Sequence, residues 1–302
     1  MKSTKIARFL FGILLILVTY GHANKNKEII QNQALTDLTI IVSSCDKYHD
    51  CWQPFCQLLF KYWPSLKTYN KTIPIILITN QKDFSYEGTI VYKTGKDRSW
   101  SDNLLEVLKT VKTKYVLYLQ EDYFLSASID TKRLAYLLNK MKEKNIDYIE
   151  ISPDGFFNKE KLYPFVKGTV IKSKHIPYRT SLQAALWDKE VLEWLVKPKE
   201  TAWDFELKGS IRSEGNMHPF LAAQENHPFH YVNACGAGYF TSYALDFLKK
   251  EGIPLNNISL PLDKDYPFTL WLREFSQKSC IRKLRLYTLW TKILGLWDPK
   301  FS

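Results

Sequence analysis

The stretch YVLYLQED, residues 115–122, determines the fold because it joins an apolar strand directly to two acidic residues. Five apolar residues in a row, closed by polar ones, are typical of a strand buried on both faces of a parallel sheet. Ligands of such sheets bind beyond the carboxyl ends of the strands. We therefore predict that Glu121 and Asp122 lie at a binding site.

The sequence on both sides of that stretch alternates strand and helix. A second apolar run rich in β-branched residues, 38–42, ends in the polar segment Ser43-Ser44-Cys45-Asp46. Other strands are predicted at 73–78, 89–92 and 148–151, and helices at 52–63, at 102–112 with Ser101 or Asp102 as the cap, at 131–144 and at 186–196. Successive β-α-β units predict an α/β fold with a mostly parallel twisted sheet flanked by helices.

The composition is that of a globular protein that can bury a large core. Of 302 residues, 45% are hydrophobic and 24% are charged. The net charge of +11 is concentrated at the ends, with +4 in residues 1–30 and +5 in residues 271–302. Only +2 remains for the 240 residues between them, so the charge favours a membrane surface over nucleic acid as a partner.

Both ends of the chain carry membrane signals. Three basic residues among the first eight precede an uncharged run over residues 9–20. This pattern predicts a cleavable signal peptide or a short membrane anchor over residues 1–23, followed by a linker at 24–36. Residues 268–302 are basic and rich in Trp and Leu, which predicts an amphipathic helix that lies on a membrane or docks on the domain. We expect a membrane-associated protein of the secretory pathway or cell envelope, with the cytoplasmic face of a membrane as the alternative.

The five cysteines do not predict a zinc site, because no CxxC or Cys/His spacing occurs. A disulfide within Cys45, Cys51 and Cys56 and buried free thiols are both consistent with the sequence. No GxSxG elbow, Walker loop or GxGxxG is present. Their absence disfavours hydrolase, P-loop and Rossmann dehydrogenase functions.

The neighbouring acids at the end of the strand indicate a divalent cation. Two adjacent carboxylates repel each other unless a cation lies near them. Mg²⁺ or Mn²⁺ bound by Glu121 and Asp122 would also take diphosphate oxygens and neutralise their charge. The competing interpretation is that these acids cap the following turn or pair with a lysine.

The strand and its acids resemble a known superfamily. YVLYLQEDYF, preceded by a helix that starts Trp100-Ser-Asp-Asn-Leu, is similar to the GT-A glycosyltransferases, with Glu121-Asp122 in the place of their Asp-x-Asp motif. Together with 181–187 and 202–206, this segment resembles bacterial-type glycosyltransferases of surface polysaccharide synthesis over about residues 37–240. Gln120 departs from the motif because the first Asp is missing. The resemblance implies a GT-A domain at 37–267 with Asp122 as its direct metal ligand.

The resemblance also implies a donor pocket for a nucleotide sugar. Five polar residues are expected to form it: Ser43, Ser44, Asp46, Asp102 and Glu121. Asp102 is equally consistent with a helix cap. Trp100 is consistent with stacking on a base or sugar and with packing.

The segment 202–206 is the predicted acceptor side. Inverting transfer needs a carboxylate that deprotonates the acceptor hydroxyl, and either Asp204 or Glu206 fits, with a surface acid in the first turn of a helix as the alternative. Trp203 is the predicted sugar platform. Ser181 and Gln183 either bind acceptor hydroxyls or belong to a strand.

The predicted function follows from these sites. A late histidine completes the ion's shell in related enzymes, so His230 is a candidate ligand, although no compact chelating motif surrounds it. We expect an inverting hexosyltransferase that uses Mn²⁺ or Mg²⁺ to move a sugar from a nucleotide-diphosphate donor to a saccharide or glycolipid. The alternatives are a catalytically degenerate GT-A domain that binds glycans or a partner, and a domain that transfers a nucleotide or phosphate.

Overall fold

The structure is a computed structural model. It describes residues 35–69, 73–152, 162–176, 178–236, 238–253, 255 and 258–263. The predicted signal or anchor at 1–23, the linker up to residue 34 and the basic segment at 268–302 lie outside these ranges. Among the described residues, no helix combines the length and apolar character needed to cross a membrane. The domain limits 37–267 stay a prediction.

The described residues contain thirteen strands. In chain order they are β1 Leu38–Ser43, β2 Ile75–Thr79, β3 Ile90–Lys93, β4 Tyr115–Gln120, β5 Tyr123–Leu125, β6 Tyr148–Glu150, β7 Thr169–Ile171, β8 Ala185–Asp188, β9 Phe220–Ala223, β10 Tyr231–Asn233, β11 Cys235–Gly236, β12 Tyr239–Thr241 and β13 Leu262–Asp263. Eight of them form the main sheet in the order β3-β2-β1-β4-β8-β6-β9-β7. β8 and β7 run antiparallel to their neighbours, and the other pairs are parallel. The predicted mostly parallel sheet is confirmed.

Besides single helical turns such as Leu66–Tyr69, six helices pack against the strands within the described residues. They are α1 His49–Tyr62, α2 Trp100–Leu108, α3 Thr131–Lys144, α4 Lys189–Leu195, α5 at 202–212 and α6 Ser242–Lys250. α5 is a continuous helical segment made of Ala202–Asp204, the π-helical turn Phe205–Gly209 and Ser210–Arg212. The predicted helix at 131–144 is confirmed, because Asp130 caps it and the left-handed Asn145 ends it.

Several boundaries differ from the sequence prediction by a few residues: α1, predicted at 52–63, begins at His49, and α2, predicted to extend to 112, ends at Leu108. α2 is capped by Ser99, whose Oγ accepts the N–H of Asp102 at 3.0 Å, and not by Ser101 or Asp102. The helix predicted at 186–196, with its beginning near Asp188, starts at Lys189 with Asp188 as its cap, and residues 186–188 belong to β8. β8 fills the space between β4 and β6, so long-range pairing overrides the local helical pattern.

Alternation along the strands divides the core into two layers. Ile40 and Leu117 face the side covered by α1, α3 and α6, whereas Ile41 and Val116 face the side covered by α2, α4 and α5. Each fully buried large side chain contributes roughly 1.5–3 kcal/mol through the hydrophobic effect. The strand ends are therefore held by apolar packing on both faces.

The strand order places a topological switch point, where a ligand crevice is expected, at the carboxyl ends of β1 and β4. The chain leaves β1 toward β2 on one side, while β4 lies on the other side. Ser43 and Gln120, the last residues of the two strands, are paired in register. A switch point of this kind is where open α/β sheets bind their ligands.

Candidate active site

The floor of the crevice is a set of hydrogen bonds around the Tyr118 hydroxyl. Trp100 Nε1 donates to it at 3.1 Å and Gln120 Nε2 at 3.4 Å, and the Ser43 side chain also hydrogen-bonds to it. Burial raises the pKa of Tyr118 well above its ordinary value, so the phenol stays neutral. The ring centroids of Trp100 and Phe205 are 5.2 Å apart, so the Trp100 ring packs against the core.

Asp46 holds the loop after β2. Its Oδ1 accepts the N–H of Asn80 at 2.9 Å, and its Oδ2 accepts those of Gln81 and Lys82 at 2.8 and 2.9 Å. Partial burial opposes ionisation, but the N–H groups of Gln81, Asn80 and Lys82 lower the pKa of Asp46. Contact between Asp46 and a nucleotide stays a prediction, and the structure assigns the carboxylate to loop closure.

Glu121 is buried beneath the lip of the sheet, with 6% of its surface exposed. Its carboxyl hydrogen-bonds to Ser44, whose Oγ accepts Trp52 Nε1 at 2.7 Å. Burial and the neighbouring Asp122 carboxylate raise the pKa of Glu121 well above its usual range. Contact of Glu121 with donor and metal stays a prediction, and the structure shows its carboxyl buried and hydrogen-bonded to Ser44. Glu121 supports the site from below.

Asp122 lies at the lip itself and is partly exposed, with Oδ1 buried. Its backbone oxygen accepts the N–H of Ala234 at 2.8 Å, which continues the pairing of β5 with β10. The carboxylate contributes to raising the pKa of Tyr48 and Tyr123, although burial is the largest cause in both. Asp122 is thus set between the start of α1 and the β5–β10 pair.

A divalent ion at this lip would meet few protein ligands. Asp122 offers a carboxylate and Gln120 an amide oxygen, while no group of three or more His, Cys, Asp or Glu side chains suited to a metal occurs in the described part of the chain. Mg²⁺ is commonly held by one or two carboxylates together with substrate phosphates. The residues therefore fit an ion that arrives with a diphosphate, and they do not form a closed cage.

His230 is not part of this lip. In the antiparallel register of β10 and β5, Ala234 lies opposite Asp122 and His230 lies opposite Ser126. Four residues of strand separate the two positions, which is roughly 13 Å. The structure therefore does not place His230 next to Asp122, and its role as a metal ligand stays a prediction.

The two acids of α5 have different roles. Asp204 forms a capping box, because its Oδ2 accepts the N–H and the hydroxyl of Thr201, and its Oδ1 accepts Lys208 Nζ at 2.8 Å. The hydrogen bond from Lys208 and those from Thr201 lower the pKa of Asp204 to about 2, so it is a poor base. Glu206 instead lies in the π-helical turn, a feature frequent at functional sites.

Glu206 is connected through Leu182 to Tyr123, the residue next to the candidate metal ligand Asp122. The Leu182 N–H donates to Glu206 Oε1 at 2.9 Å, and the Leu182 carbonyl accepts the hydroxyl of Tyr123 at 2.8 Å. Because Tyr123 follows Asp122 in the chain, two hydrogen bonds link the π-helical acid to the acid at the lip. Trp203, on the turn before Glu206, is 54% exposed and available for contact.

The other predicted contacts divide between surface and interior. Asp102 lies in the first turn of α2 and supports its cap, because its Oδ2 accepts the hydroxyl of the capping Ser99 at 2.8 Å. Ser181 is buried, and its Oγ accepts the Gln183 N–H at 3.1 Å. Gln183 is partly exposed and accepts the hydroxyl of Tyr231. Of the three predicted acceptor contacts, Trp203 and Gln183 have side chains that reach the surface, whereas Ser181 is buried.

Sequence reasoning missed an aromatic pair at this place. Tyr123 and Tyr231 stack with ring centroids 4.4 Å apart. The pair exists because Asn233 is opposite Tyr123 in the ladder, which brings Tyr231 onto the same face two residues along. The aromatic residue directly after Asp122 was the available signal for Tyr123, whereas no local signal marked Tyr231.

A buried ion pair lies behind the acceptor side and was also missed. Lys172 Nζ is 2.7 Å from Glu150 Oε2, and both side chains are inaccessible to solvent. Tyr148 donates its hydroxyl to the same oxygen at 3.1 Å. Burial lowers the pKa of Lys172, while Glu150 and Glu206 oppose that shift. The pair thus contributes to the electrostatic environment of Glu206.

Comparison with known proteins gives a likeness of fold. No protein-family model matches the sequence, and no curated protein matches it. Similar solved structures include S. aureus TarS 1–349 in complex with UDP-GlcNAc, with 12% identity and a TM-score of 0.46 over 70% of this chain and 63% of that one. Another is the mannosyltransferase PcManGT from Pyrobaculum calidifontis in complex with GDP-Man and Mn²⁺, with 11% identity and a TM-score of 0.42 over 67% and 58%.

The chain spans about three fifths of the length of these similar structures. S. aureus TarS 1–349 without ligand aligns with 65% of this chain and 60% of its own length. At such identities we base the fold on the sheet itself. The strand order confirms the α/β fold with a mostly parallel sheet that the sequence predicts. The nearer resemblance to surface-polysaccharide enzymes stays a prediction.

Proposed function

We propose that this protein is a glycosyltransferase that moves a sugar from a nucleotide-diphosphate donor to a saccharide or glycolipid acceptor. One observation carries the proposal. Asp122, at the switch point of the sheet, is linked through Tyr123 and Leu182 to Glu206 in a π-helical turn. Transfer with inversion needs two carboxylates of this kind, one on the leaving-group side and one on the acceptor side.

The donor side has the chemistry to receive a diphosphate together with a divalent ion. Asp122 would hold Mn²⁺ or Mg²⁺ with help from Gln120, and the ion would supply neutralisation of charge on the leaving diphosphate. Ser43, whose side chain is held by the buried Tyr118 hydroxyl, would hydrogen-bond to the nucleoside part. Glu121 keeps Ser44 in place beneath them.

On the acceptor side we assign Glu206 as the general base and leave Asp204 as the helix cap. The Leu182 N–H orients one oxygen of Glu206, and the second oxygen takes the proton of the acceptor hydroxyl as that hydroxyl attacks the anomeric carbon. Trp203 and the partly exposed Tyr231 offer apolar ring faces to the acceptor sugar, and the buried Tyr123 supports Tyr231 by stacking on it. Gln183 supplies an amide for its hydroxyl groups.

The experiment that tests the proposal is a transfer and hydrolysis assay with a panel of sugar nucleotides in the presence of Mn²⁺ or Mg²⁺. We expect turnover of at least one donor that is lost on chelation of the ion and in the Asp122→Ala variant. Turnover that is indifferent to both treatments would show that Asp122 is not the metal ligand. The proposed membrane attachment through the chain ends is tested separately, by sedimentation of the full chain with anionic vesicles.

A second candidate is a degenerate domain of the same fold that binds glycans or a partner protein. The observation that favours it is the reduced acidic motif, in which Gln120 replaces one acid and Glu121 is buried. Isothermal titration calorimetry separates the two functions. The degenerate domain predicts glycan binding without any metal-dependent affinity for nucleoside diphosphates.

A further inference from the structure

Two cysteines from distant parts of the chain meet beside the candidate active site. The Sγ atoms of Cys51 and Cys235 are 3.5 Å apart although 184 residues separate them. Cys51 lies in the first turns of α1 and is fully buried, and Cys235 begins β11 with 9% of its surface exposed. The pair differs from the sequence expectation of a bond within Cys45, Cys51 and Cys56, because Cys51 faces β11.

The position of Cys51 is set by contacts that do not involve sulfur. The preceding residue, Asp50, accepts through Oδ2 the N–H and hydroxyl of Ser259 and the N–H of Leu260, at 2.7–2.9 Å. These three bonds join the start of α1 to the segment before β13. The thiol of Cys51 is therefore held in place by the fold.

The position of Cys235 is set in the same way. The preceding residue, Ala234, donates its N–H to the Asp122 carbonyl and accepts the N–H of Thr241, both at 2.8 Å. Phe240 pairs with Cys235 across β12 and is itself buried. Since both backbones are fixed, the two thiols meet in each folded molecule, and only side-chain rotation is needed to bring them closer.

We propose that Cys51 and Cys235 form a disulfide bond when the folded chain meets an external disulfide such as glutathione disulfide. A disulfide has an S–S distance of about 2.05 Å, so the sulfur atoms must approach by about 1.5 Å. Rotation about χ1 moves a sulfur over such a distance. Two buried thiols in contact, with no metal-binding spacing around them, have the arrangement that this chemistry requires.

The reaction takes place in two exchange steps. The more exposed Cys235 loses its proton and attacks the external disulfide, which forms a mixed disulfide and releases one glutathione thiolate. Cys51 then loses its proton and attacks the Cys235 sulfur, which releases the second glutathione. The protein pair is oxidised by two electrons, glutathione disulfide is reduced to two thiols, and the two protons pass to the released thiolates.

The bond would brace the lip of the crevice. It would tie α1 covalently to β11, whose neighbour Ala234 holds the Asp122 carbonyl. Opening of this edge of the sheet would then require movement of α1 as well. The proposal does not depend on the transferase activity, because it concerns the thiols and the backbone next to them.

The test uses the full chain with Cys45, Cys56 and Cys280 replaced by serine, so that only the pair remains. After incubation with glutathione disulfide and digestion without reductant, we expect mass spectrometry to find peptides containing Cys51 and Cys235 joined and two hydrogen atoms lighter than their sum. In the wild-type chain the same linkage should dominate. Persistent free thiols, glutathione adducts alone, or linkage of Cys51 to Cys45 or Cys56 would overturn the proposal.

A second measurement guards against a variant that fails to fold. In the unmodified chain, hydrogen exchange of the Ala234 amide should slow about tenfold or more on oxidation and recover on reduction. Cys235→Ser should remove this difference between oxidising and reducing conditions, whereas Cys56→Ser should keep it. Equal exchange before and after oxidation of the wild-type chain would contradict the bracing role.

Discussion

Glu206 accepts the backbone N–H of Leu182 through Oε1 at 2.9 Å, while Asp204 two residues earlier is fully engaged in capping its own helix. We predict that Glu206→Gln lowers kcat for sugar transfer by about 10²–10⁴-fold, the usual contribution of a general base. The glutamine keeps an oxygen for the Leu182 N–H, so folding should be unaffected. Steady-state kinetics with circular dichroism measures both.

The matched control for that variant is Asp204→Asn. It should keep kcat within about twofold and lose about 0.5–2 kcal/mol of unfolding free energy, because the capping box is weakened. Urea titration gives the stability. If Asp204→Asn stops turnover and Glu206→Gln does not, the base has been assigned to the wrong acid.

Asp122 and Glu121 should differ sharply as metal ligands. Asp122→Asn is expected to weaken Mn²⁺-dependent binding of a nucleoside diphosphate at least tenfold. Mutation of residues that only hydrogen-bond to metal ligands already lowers metal affinity about 10–100-fold. Glu121→Gln should bind within a few-fold of wild type, because the buried carboxyl is already neutral. Calorimetry of both variants measures these affinities. Equal losses of affinity would identify Glu121 as a metal ligand together with Asp122.

The raised pKa of Glu121 predicts a pH dependence of stability. The unfolded carboxyl ionises near its ordinary pKa of 4.5, whereas the folded one stays protonated well above it. The unfolded state therefore binds fewer protons in this window, and the contribution of Glu121 to stability falls as pH rises from 4.5 towards the folded pKa. In urea unfolding from pH 4.5 to 8, the unfolding free energy of Glu121→Gln should rise relative to that of wild type as pH increases. A constant difference between the two would contradict the shift.

The buried pair of Lys172 and Glu150 predicts a non-additive double mutant. Lys172→Met should cost about 3–5 kcal/mol of unfolding free energy because it leaves the Glu150 charge buried without its cation. Adding Glu150→Leu should recover most of that loss. Denaturant unfolding of the single and double variants measures the coupling, and additive losses would show that the two side chains act independently.

Trp203 is predicted to act in acceptor binding without supporting the fold. Because its ring is 54% exposed, Trp203→Ala should change stability little and raise the acceptor KM several-fold. Trp194 on α4, with 45% exposed, is the matched control and should leave KM unchanged when replaced by alanine. Equal effects of the two substitutions on KM would remove Trp203 from the acceptor site.

Much of the fold could be predicted because its signals are local. The apolar runs that became β1, β2 and β4 lie in the sequence next to the turns that end them. The helix at 131–144 carries its own cap. β8 could not be predicted, since a strand that joins two others depends on partners more than 30 residues away.

Sequence alone determined where the site would be. Polar residues that directly follow buried parallel strands must meet at one edge of the sheet, and Ser43, Gln120 and Asp122 do so. Which of those residues point outward was decided only by tertiary structure. Glu121 is buried and hydrogen-bonds to Ser44, and the β5–β10 register separates His230 from Asp122.

The same division holds for the acceptor side and the thiols. The segment 202–206 indicated that an acid acts as the base, but the sequence could not choose between Asp204 and Glu206. The structure favours Glu206, because Asp204 caps its helix and Glu206 accepts the N–H of Leu182, 24 residues earlier. The contact of Cys51 with Cys235 arises across 184 residues. Propensity and pattern act over a few residues and so define the elements, whereas burial, register and ionisation depend on neighbours that only the folded chain brings together.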